Sequence, residues 1–284
     1  MIRTLPNSKT YSWGFRIYIT AFFTFLFLPL LVTCVLAFND SQFPALPWNG
    51  FTLEWFFGSM SERVGIFHDE MNLQSIWVSA KVAFFVSILS TIVGTCAAFL
   101  FEQEDFRFKG LLYFLMLSPL VIPGVILGIS ILLFSNTLGL FFENNAGLDI
   151  PLFRPGFWLV VLGQFSFIAT LVTLVVSARL KKFDRTLEEA ALNLGATRIE
   201  VIRHITLKFL RPAIISAGAV AFLMSFENFN TTLFLVGSEA TLPINLYLQV
   251  RDGSTPVINA ISFLLIVGTS VAAFANLYFS PKER

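Results

Sequence analysis

Six long apolar runs constrain what this sequence can fold into more than any other feature. Each is long enough to cross the apolar core of a bilayer, which takes about 20 helical residues. The runs cover residues 15–38, 73–101, 110–134, 157–180, 212–236 and 257–279. Hydrophobic residues make up 56% of the 284 positions and charged residues only 13%, which excludes an ordinary soluble domain. The sequence therefore predicts an all-α integral membrane protein with six transmembrane helices.

The distribution of lysine and arginine predicts the orientation of these helices. Of the 19 basic residues, 15 lie at the two termini, in the loop between the second and third runs, or around the loop between the fourth and fifth. Arg63, Arg154 and Arg251 lie on the opposite side, and Lys81 falls near the outer end of the second run. Because loops rich in Lys and Arg stay in the cytoplasm, we expect both termini there.

One polar segment, residues 186–212 between the fourth and fifth runs, carries a repeated helix-start signal. Thr186 stands three residues before Glu189, and Thr197 stands three before Glu200, and each pair is typical of a capping box. Gly195 lies between them, where a left-handed residue ends a helix without a Cβ clash. The pattern predicts a short helix, a sharp turn and a second helix on the cytoplasmic side, with Pro212 in the first turn of the following helix.

The first of these short helices has an apolar face with small residues in it. Leu187, Ala190, Ala191 and Leu194 recur at helical spacing, and the alanines allow another backbone to approach closely. One interpretation is an amphipathic hairpin that lies on the lipid surface. The other is a plug that fits a cleft on another protein.

Glu227 is the only carboxylate well inside any of the six runs. An ionised group in the bilayer is costly, so such residues normally face a cavity and serve function. Its polar neighbours Asn228, Asn230 and Thr231 extend a candidate translocation path. The alternative is a structural glutamate held by hydrogen bonds from Asn228 and Thr231.

Small and polar residues in the other runs have structural and functional interpretations. Pro119 and Pro123 predict a bend in the third run, either a static kink or a break that lines a cavity. The fourth run carries a hydroxyl stripe that favours helix packing over a pore wall; it consists of Ser166, Thr170, Thr173 and Ser177. The second run carries a similar packing stripe, made of Ser87, Thr91 and Gly94.

The sequence offers no chemistry of its own for catalysis. It has no G-x-x-x-x-G-K-[ST] phosphate loop, so any ATP used for transport binds another chain. His68 has no neighbour at metal-ligand spacing, and we predict neither a metal site nor catalytic residues.

Residues 189–207 resemble the EAA motif of the permease subunits of bacterial binding-protein-dependent ABC importers. The matching positions are Glu189, Ala190, Ala191, Gly195, Ile205 and Leu207, and Lys208 stands where the pattern usually closes with proline. FTLEWF after the first run and V-R-D-G-S-T-P before the last are most similar to the second permease of spermidine/putrescine systems. That branch often has two adjacent acids in the fifth span, where this sequence has Glu227 and Asn228.

The resemblance implies a division of labour among several subunits in the bacterial inner membrane. The partners would be a second, homologous permease, two ATPase subunits that bind ATP and magnesium, and a soluble extracytoplasmic solute-binding protein, with no nucleic acid. Glu189, Ala190, Ala191, Leu194 and Gly195 would form a coupling helix seated on an ATPase. Residues 1–72 would hold the first helix and an external loop, 73–279 the type-1 transmembrane domain, and 280–284 a cytoplasmic tail.

We therefore expect half of the translocation path of an ATP-driven importer for a polyamine or a related small organic cation. A different class, an ion- or proton-coupled secondary carrier, would use Glu227 as its coupling site and work alone. A third, a membrane scaffold, would need none of the polar residues of the fifth span.

Overall fold

The computed structural model describes residues 9–60, 63–253 and 255–279, without the side chains of residues 9, 10 and 272–279. The basic residues Arg3, Lys282 and Arg284 used above, and the 280–284 tail, lie outside this part. The described chain is mostly helical. Its helices are α1 (Lys9–Leu36), α2 (Glu54–Phe57), α3 (Glu70–Gln103), α4 (Lys109–Val121), α5 (Gly124–Ala146), α6 (Phe157–Leu180), α7 (Thr186–Asn193), α8 (Arg198–Val201), α9 (Leu207–Phe226), α10 (Thr232–Leu235), α11 (Leu242–Gly253) and α12 (Val257–Phe279). Strands β1 (Ser59–Met60) and β2 (Arg63–Val64) form a small hairpin, and Pro151–Phe153 is a 3₁₀ turn.

Within the described residues, five helices are long and apolar enough to cross a membrane. They are Tyr11–Leu36, Glu70–Gln103, Gly124–Ala146, Phe157–Leu180 and Arg198–Phe226. Two shorter apolar helices, Lys109–Val121 and Val257–Val271, accompany them. The prediction of a helical membrane protein is confirmed at this level. The predicted count exceeds the observed one by the last run, whose described side chains end at Val271 and leave only the shorter stretch Val257–Val271; the divided third run is still represented by α5.

The third run breaks at Ile122 and Pro123 into α4 and α5. Pro123 has no backbone N–H and disfavours the helical conformation of the residue before it, and Ile122 is extended, with φ −74° and ψ 128°. The two pieces follow α6 in the antiparallel direction. The Thr170 hydroxyl donates to the carbonyl of Met116 in α4 at 2.7 Å, and Gly163, nearer the start of α6, lies beside Ile131 of α5.

The fifth run starts and ends earlier than its apolar pattern predicts. A continuous helix runs from Arg198 to Phe226 and contains the π-helical turn Ile202–Thr206. The cap at Thr197 starts this helix, so Pro212 lies inside α9 and not in its first turn. The helix stops at Phe226, and the predicted continuation to residue 236 is an irregular segment followed by the short α10.

The first compact unit combines the described parts of Met1–Leu73 and Leu248–Arg284. The Phe38 ring contacts those of Phe51 at 5.4 Å, Phe56 at 5.2 Å and Phe263 of α12 at 5.0 Å. The buried indole N–H of Trp55 donates to the Asn39 carbonyl at 2.8 Å. The aromatic segment after α1 thus contributes part of its side chains to a local core.

Arg63 forms two ion pairs in the segment between α1 and α3. Its guanidinium donates to Asp40 at 2.7 Å and to Glu54 at 2.5 Å. These hydrogen bonds, the one to Glu54 most, raise the pKa of Arg63 above its ordinary value.

The second compact unit, Gln74–Tyr247, is organised around α6. Half of the residues of α6 are buried, and α9 packs along it. The hydroxyl stripe of α6 packs inside this unit as predicted, because Thr170, Thr173 and Ser177 are all buried. In α3, a Cβ at Gly94 would lie 2.8 Å from Val172 of α6, so the small residue permits this helix contact.

Candidate functional site

The loop that joins α6 to α9 folds as the predicted helix, turn and helix, but its first cap differs. The Asp184 carboxylate accepts from the Thr186 backbone N–H at 3.0 Å and from its hydroxyl at 2.8 Å. The Thr186 hydroxyl is therefore a donor, and the predicted capping box between Thr186 and Glu189 is wrong. A carboxylate two residues upstream is a stronger acceptor than the hydroxyl, and Glu189 is left exposed.

The turn after α7 depends on the backbone of Gly195, which has φ +92°. The N–H of Gly195 donates to the Leu192 carbonyl at 3.0 Å, and the N–H of Ala196 donates to the Ala191 carbonyl at 3.1 Å. These two bonds form a Schellman motif, which satisfies carbonyls at the helix end. The predicted left-handed glycine is confirmed.

The second cap, at Thr197, is confirmed as a capping box. The Glu200 carboxylate accepts from the Thr197 backbone N–H at 2.8 Å, and the Thr197 hydroxyl accepts from the Glu200 N–H at 3.4 Å. The backbone bond from Thr197, and then its hydroxyl, lower the pKa of Glu200 below its ordinary value. Glu200 therefore stays ionised near neutral pH and holds the start of α8.

Side-chain bonds tie α7 to the helices on either side of it. The Arg185 guanidinium donates to the Glu102 carbonyl at the end of α3, at 2.7 Å. The Glu188 carboxylate accepts a short hydrogen bond from the fully buried Thr206, which lies in the π-helical turn before α9. Glu188 thus connects α7 directly to the turn before α9. Sequence reasoning missed Glu188 and Arg185, since neither belongs to the motif.

Large apolar side chains of this loop are exposed, among them Leu187, Leu194 and Ile199, which we name the α7 surface. Leu194 is 89% exposed and Ile199 is 77% exposed, and Leu187 is exposed beside them. Ala190 is exposed as well, while Ala191 is half-buried. Large apolar side chains at such exposure contribute nothing to the fold of this chain, and grouped exposed apolar residues mark interaction surfaces.

The predicted path residues lie at the other end of α9, about 30 Å away for a helix of 20 residues. Glu227 follows the last helical residue and is exposed. No other described residue forms a hydrogen bond or ion pair with its carboxylate. Asn228 accepts from the N–H and hydroxyl of Thr232, at 3.3 and 2.9 Å, so its Oδ1 is engaged within this segment.

Gln164 of α6 organises this segment from a neighbouring helix. It is fully buried; its Nε2 donates to the Thr232 hydroxyl at 2.7 Å, and its Oε1 accepts from the Ser225 hydroxyl at 2.5 Å. A buried network therefore links Ser225, Gln164, Thr232 and Asn228. Sequence reasoning missed Gln164, although it is the only amide side chain in α6, and an amide inside a membrane span is a signal of function or packing.

The break in the third run and the irregular segment after α9 meet each other. A Cβ at Gly128 would lie 2.7 Å from the Thr231 carbonyl oxygen, and one at Gly124 would lie 3.0 Å from the Asn230 Cβ. Thr231 is buried, whereas Asn230 is exposed. Two helix interruptions lie side by side here, which leaves Glu227 and Asn230 on the surface.

Replacement of Gln164 by leucine should destabilise this end of the bundle. The leucine keeps most of the volume but leaves the Ser225 and Thr232 hydroxyls without their buried partner, at a cost of about 1–3 kcal/mol. The measurement is the thermal unfolding midpoint of the purified protein with its bound partners. Gln249→Leu is the control, because its amide bond to Asn72 is only partly buried. Equal stability of the Gln164→Leu and wild-type proteins would contradict the role of the network.

Sequence comparison finds relatives of this chain along most of its length. Residues 90–284 match the family described as "Binding-protein-dependent transport system inner membrane component". The chain is 33% identical over 263 residues to the "Putrescine transport system permease protein PotI" of Escherichia coli (strain K12), covering 92% of this chain and 88% of that protein. It is 30% identical over 250 residues to the "Spermidine/putrescine transport system permease protein PotC" of Haemophilus influenzae, covering 86% and 88%.

Solved structures agree on the fold. A chain of a bacterial ABC transporter involved in the import of the acidic polysaccharide alginate superposes with a TM-score of 0.67 at 13% identity, over 99% of this chain and all of that chain. The MetNI methionine ABC transporter gives a TM-score of 0.53 at 16% identity, over 72% and 92%. The resemblance read from the EAA pattern is confirmed: the chain belongs to the family of binding-protein-dependent transport system inner membrane components.

Proposed function

We propose that this chain is a permease subunit of an ATP-driven importer and forms half of the path for a polyamine or a related small organic cation. The observation that carries the proposal is the exposed, apolar α7 surface. It lies on a loop that is hydrogen-bonded to the end of α3 and to the turn before α9. The sequence relatives that carry putrescine or spermidine in their names support the cationic cargo.

The proposed topology has six crossings, both termini in the cytoplasm and α7 on the cytoplasmic side. α4 and the first half of α5 together make the third crossing, which is supported by their antiparallel contacts with α6. The arginines and lysines around α7 support its cytoplasmic position. Residues 73–279 would form the type-1 transmembrane domain of this class, preceded by the first helix and its external loop.

The proposed assembly pairs this chain with a second permease, two ATPase subunits and an extracytoplasmic solute-binding protein. The ATPases bind ATP and magnesium, and the coupling helix, residues 187–194, seats in a groove on one of them. Glu189, Ala190, Ala191, Leu194 and Gly195 shape this contact. The small side chains of Ala190 and Ala191 would let the ATPase approach the helix backbone closely. The left-handed backbone of Gly195 directs the chain away from this contact.

A movement imposed on α7 would reach the path through α9. The Glu188–Thr206 bond would pass the displacement into the π-helical turn, a helix irregularity of a kind often found at functional sites. The far end of α9 carries Glu227, so the same rigid helix would move the path residues. Glu227 and Asn230 would contact solute, while Asn228 and Thr231 hold the segment in shape.

Reconstitution into liposomes tests this function. The complete complex should import labelled putrescine only when ATP is supplied on the side of the ATPases and the solute-binding protein on the opposite side. The permease subunits without ATPase should show no import under an ion or proton gradient. Gradient-driven import by this chain without an ATPase would instead show the secondary carrier.

A further inference from the structure

A basic groove runs along the start of α9. It is open, has a volume of about 620 Å³, and is lined by Arg203, His204, Leu207, Lys208, Arg211, Ile214 and Ile215. None of these residues belongs to the α7 surface or to the path. Nothing in the proposed transport cycle accounts for them.

The cations of the groove form no ion pair with the described residues. No described carboxylate lies within 4.0 Å of Arg203, Lys208 or Arg211, whereas Lys181 on the same side of the bundle pairs with Glu102 at 3.5 Å. His204 has only its Nδ1 near the Glu200 carbonyl, at 3.1 Å. Three permanent positive charges within about two turns of one helix repel each other unless an anion lies among them.

The polarity of the groove changes along the helix axis. Arg203, Lys208 and Arg211 lie toward α8, and Ile214 and the exposed Ile215 continue the groove into the apolar span. Ile215 lies seven residues beyond Lys208, about 10 Å deeper along the helix. An acidic soluble protein could pair with the cations but would not reach this apolar wall.

We infer that the basic groove binds an anionic phospholipid of the cytoplasmic leaflet. Its phosphate lies among Arg203, Lys208 and Arg211, and its acyl chain lies along Leu207, Ile214 and Ile215. The charge of the groove is complementary to acidic lipid headgroups, and basic pockets at the cytoplasmic ends of spans suit them. The inference rests on the cytoplasmic position of α8 in the proposed function.

Native mass spectrometry of the purified complex, with all partners that co-purify, tests this site. The delipidated complex is titrated with phosphatidylglycerol or phosphatidylcholine. We expect a clear preference for phosphatidylglycerol, which falls roughly fivefold for each cation removed in Arg203→Gln, Lys208→Gln and Arg211→Gln. The three single variants test the site even if the triple variant, which carries all three substitutions, does not assemble. Arg203→Lys combined with Arg211→Lys keeps both positive charges and should retain most of the preference.

Lys182→Gln with Arg198→Gln is the matched control, because these exposed cations lie on the same side but outside the groove. Its lipid preference should equal that of the wild type. Equal affinity for both lipids, an unchanged preference in the triple variant, or an equal loss in the control would overturn the inference. Displacement of the lipid by glycerol phosphate at matched concentration would also overturn it, because a soluble phosphate would then suffice. Native mass spectrometry measures lipid binding and does not require transport. This test and the reconstitution test can therefore fail independently.

Discussion

Replacement of Leu194 by glutamate is expected to abolish ATP-driven import while the permease still inserts and folds. Leu194 is 89% exposed, so the substitution changes the stability of the chain itself by no more than about 0.5 kcal/mol. In the proposed complex the leucine is buried against the ATPase, where it contributes about 1.5–3 kcal/mol, and a buried unpaired carboxylate costs more. The amount of ATPase that co-purifies with a tagged permease should fall at least tenfold.

Leu148→Glu is the matched control for this variant. Leu148 is 56% exposed and lies in the loop between α5 and α6, at the other end of the bundle from α7. This variant should retain both the co-purified ATPase and the import rate. If Leu194→Glu keeps a normal complement of ATPase and a normal import rate, the α7 surface is not the coupling surface.

Replacement of Glu227 by glutamine should slow the import of a cationic solute by roughly five- to several-hundred-fold. A carboxylate and an ammonium 4 Å apart attract each other by about 1 kcal/mol in water and about 4 kcal/mol near a protein surface. Glu227 is exposed at the end of α9 and has no partner among the described residues that would mask this charge. The measurement is the concentration dependence of putrescine import in proteoliposomes at fixed ATP.

Two further variants separate charge from local structure at this position. Glu227→Asp keeps the carboxylate and should recover most of the rate. Glu239→Gln removes an exposed carboxylate from the following loop and should leave import unchanged. Unaltered import and unaltered solute preference in Glu227→Gln would exclude Glu227 from the path.

The features that were predictable from sequence are those decided within a few residues of each other. Long apolar runs have no other stable environment than a bilayer, so the class of fold follows from them. The Thr197–Glu200 box and Gly195 are local devices whose partners lie within five residues, and both form as expected.

The features that were not predictable depend on competition or on distant residues. Pro119 lies inside α4 while Pro123 ends it, although both occur in one apolar run. Thr186 does not cap the helix, because its N–H and its hydroxyl both donate to the Asp184 carboxylate. α9 stops at Phe226 where Gln164, more than 60 positions away, binds both Ser225 and Thr232 across the interruption. A single sequence does not reveal that pairing.

The structure of the complex purified from membranes, determined by electron cryomicroscopy, tests the central claim most directly. The account predicts that an ATPase subunit covers the α7 surface and buries Leu194 and Ile199 in a groove. A complex in which Leu194 and Ile199 face only lipid or solvent, with no ATPase beneath them, would contradict it.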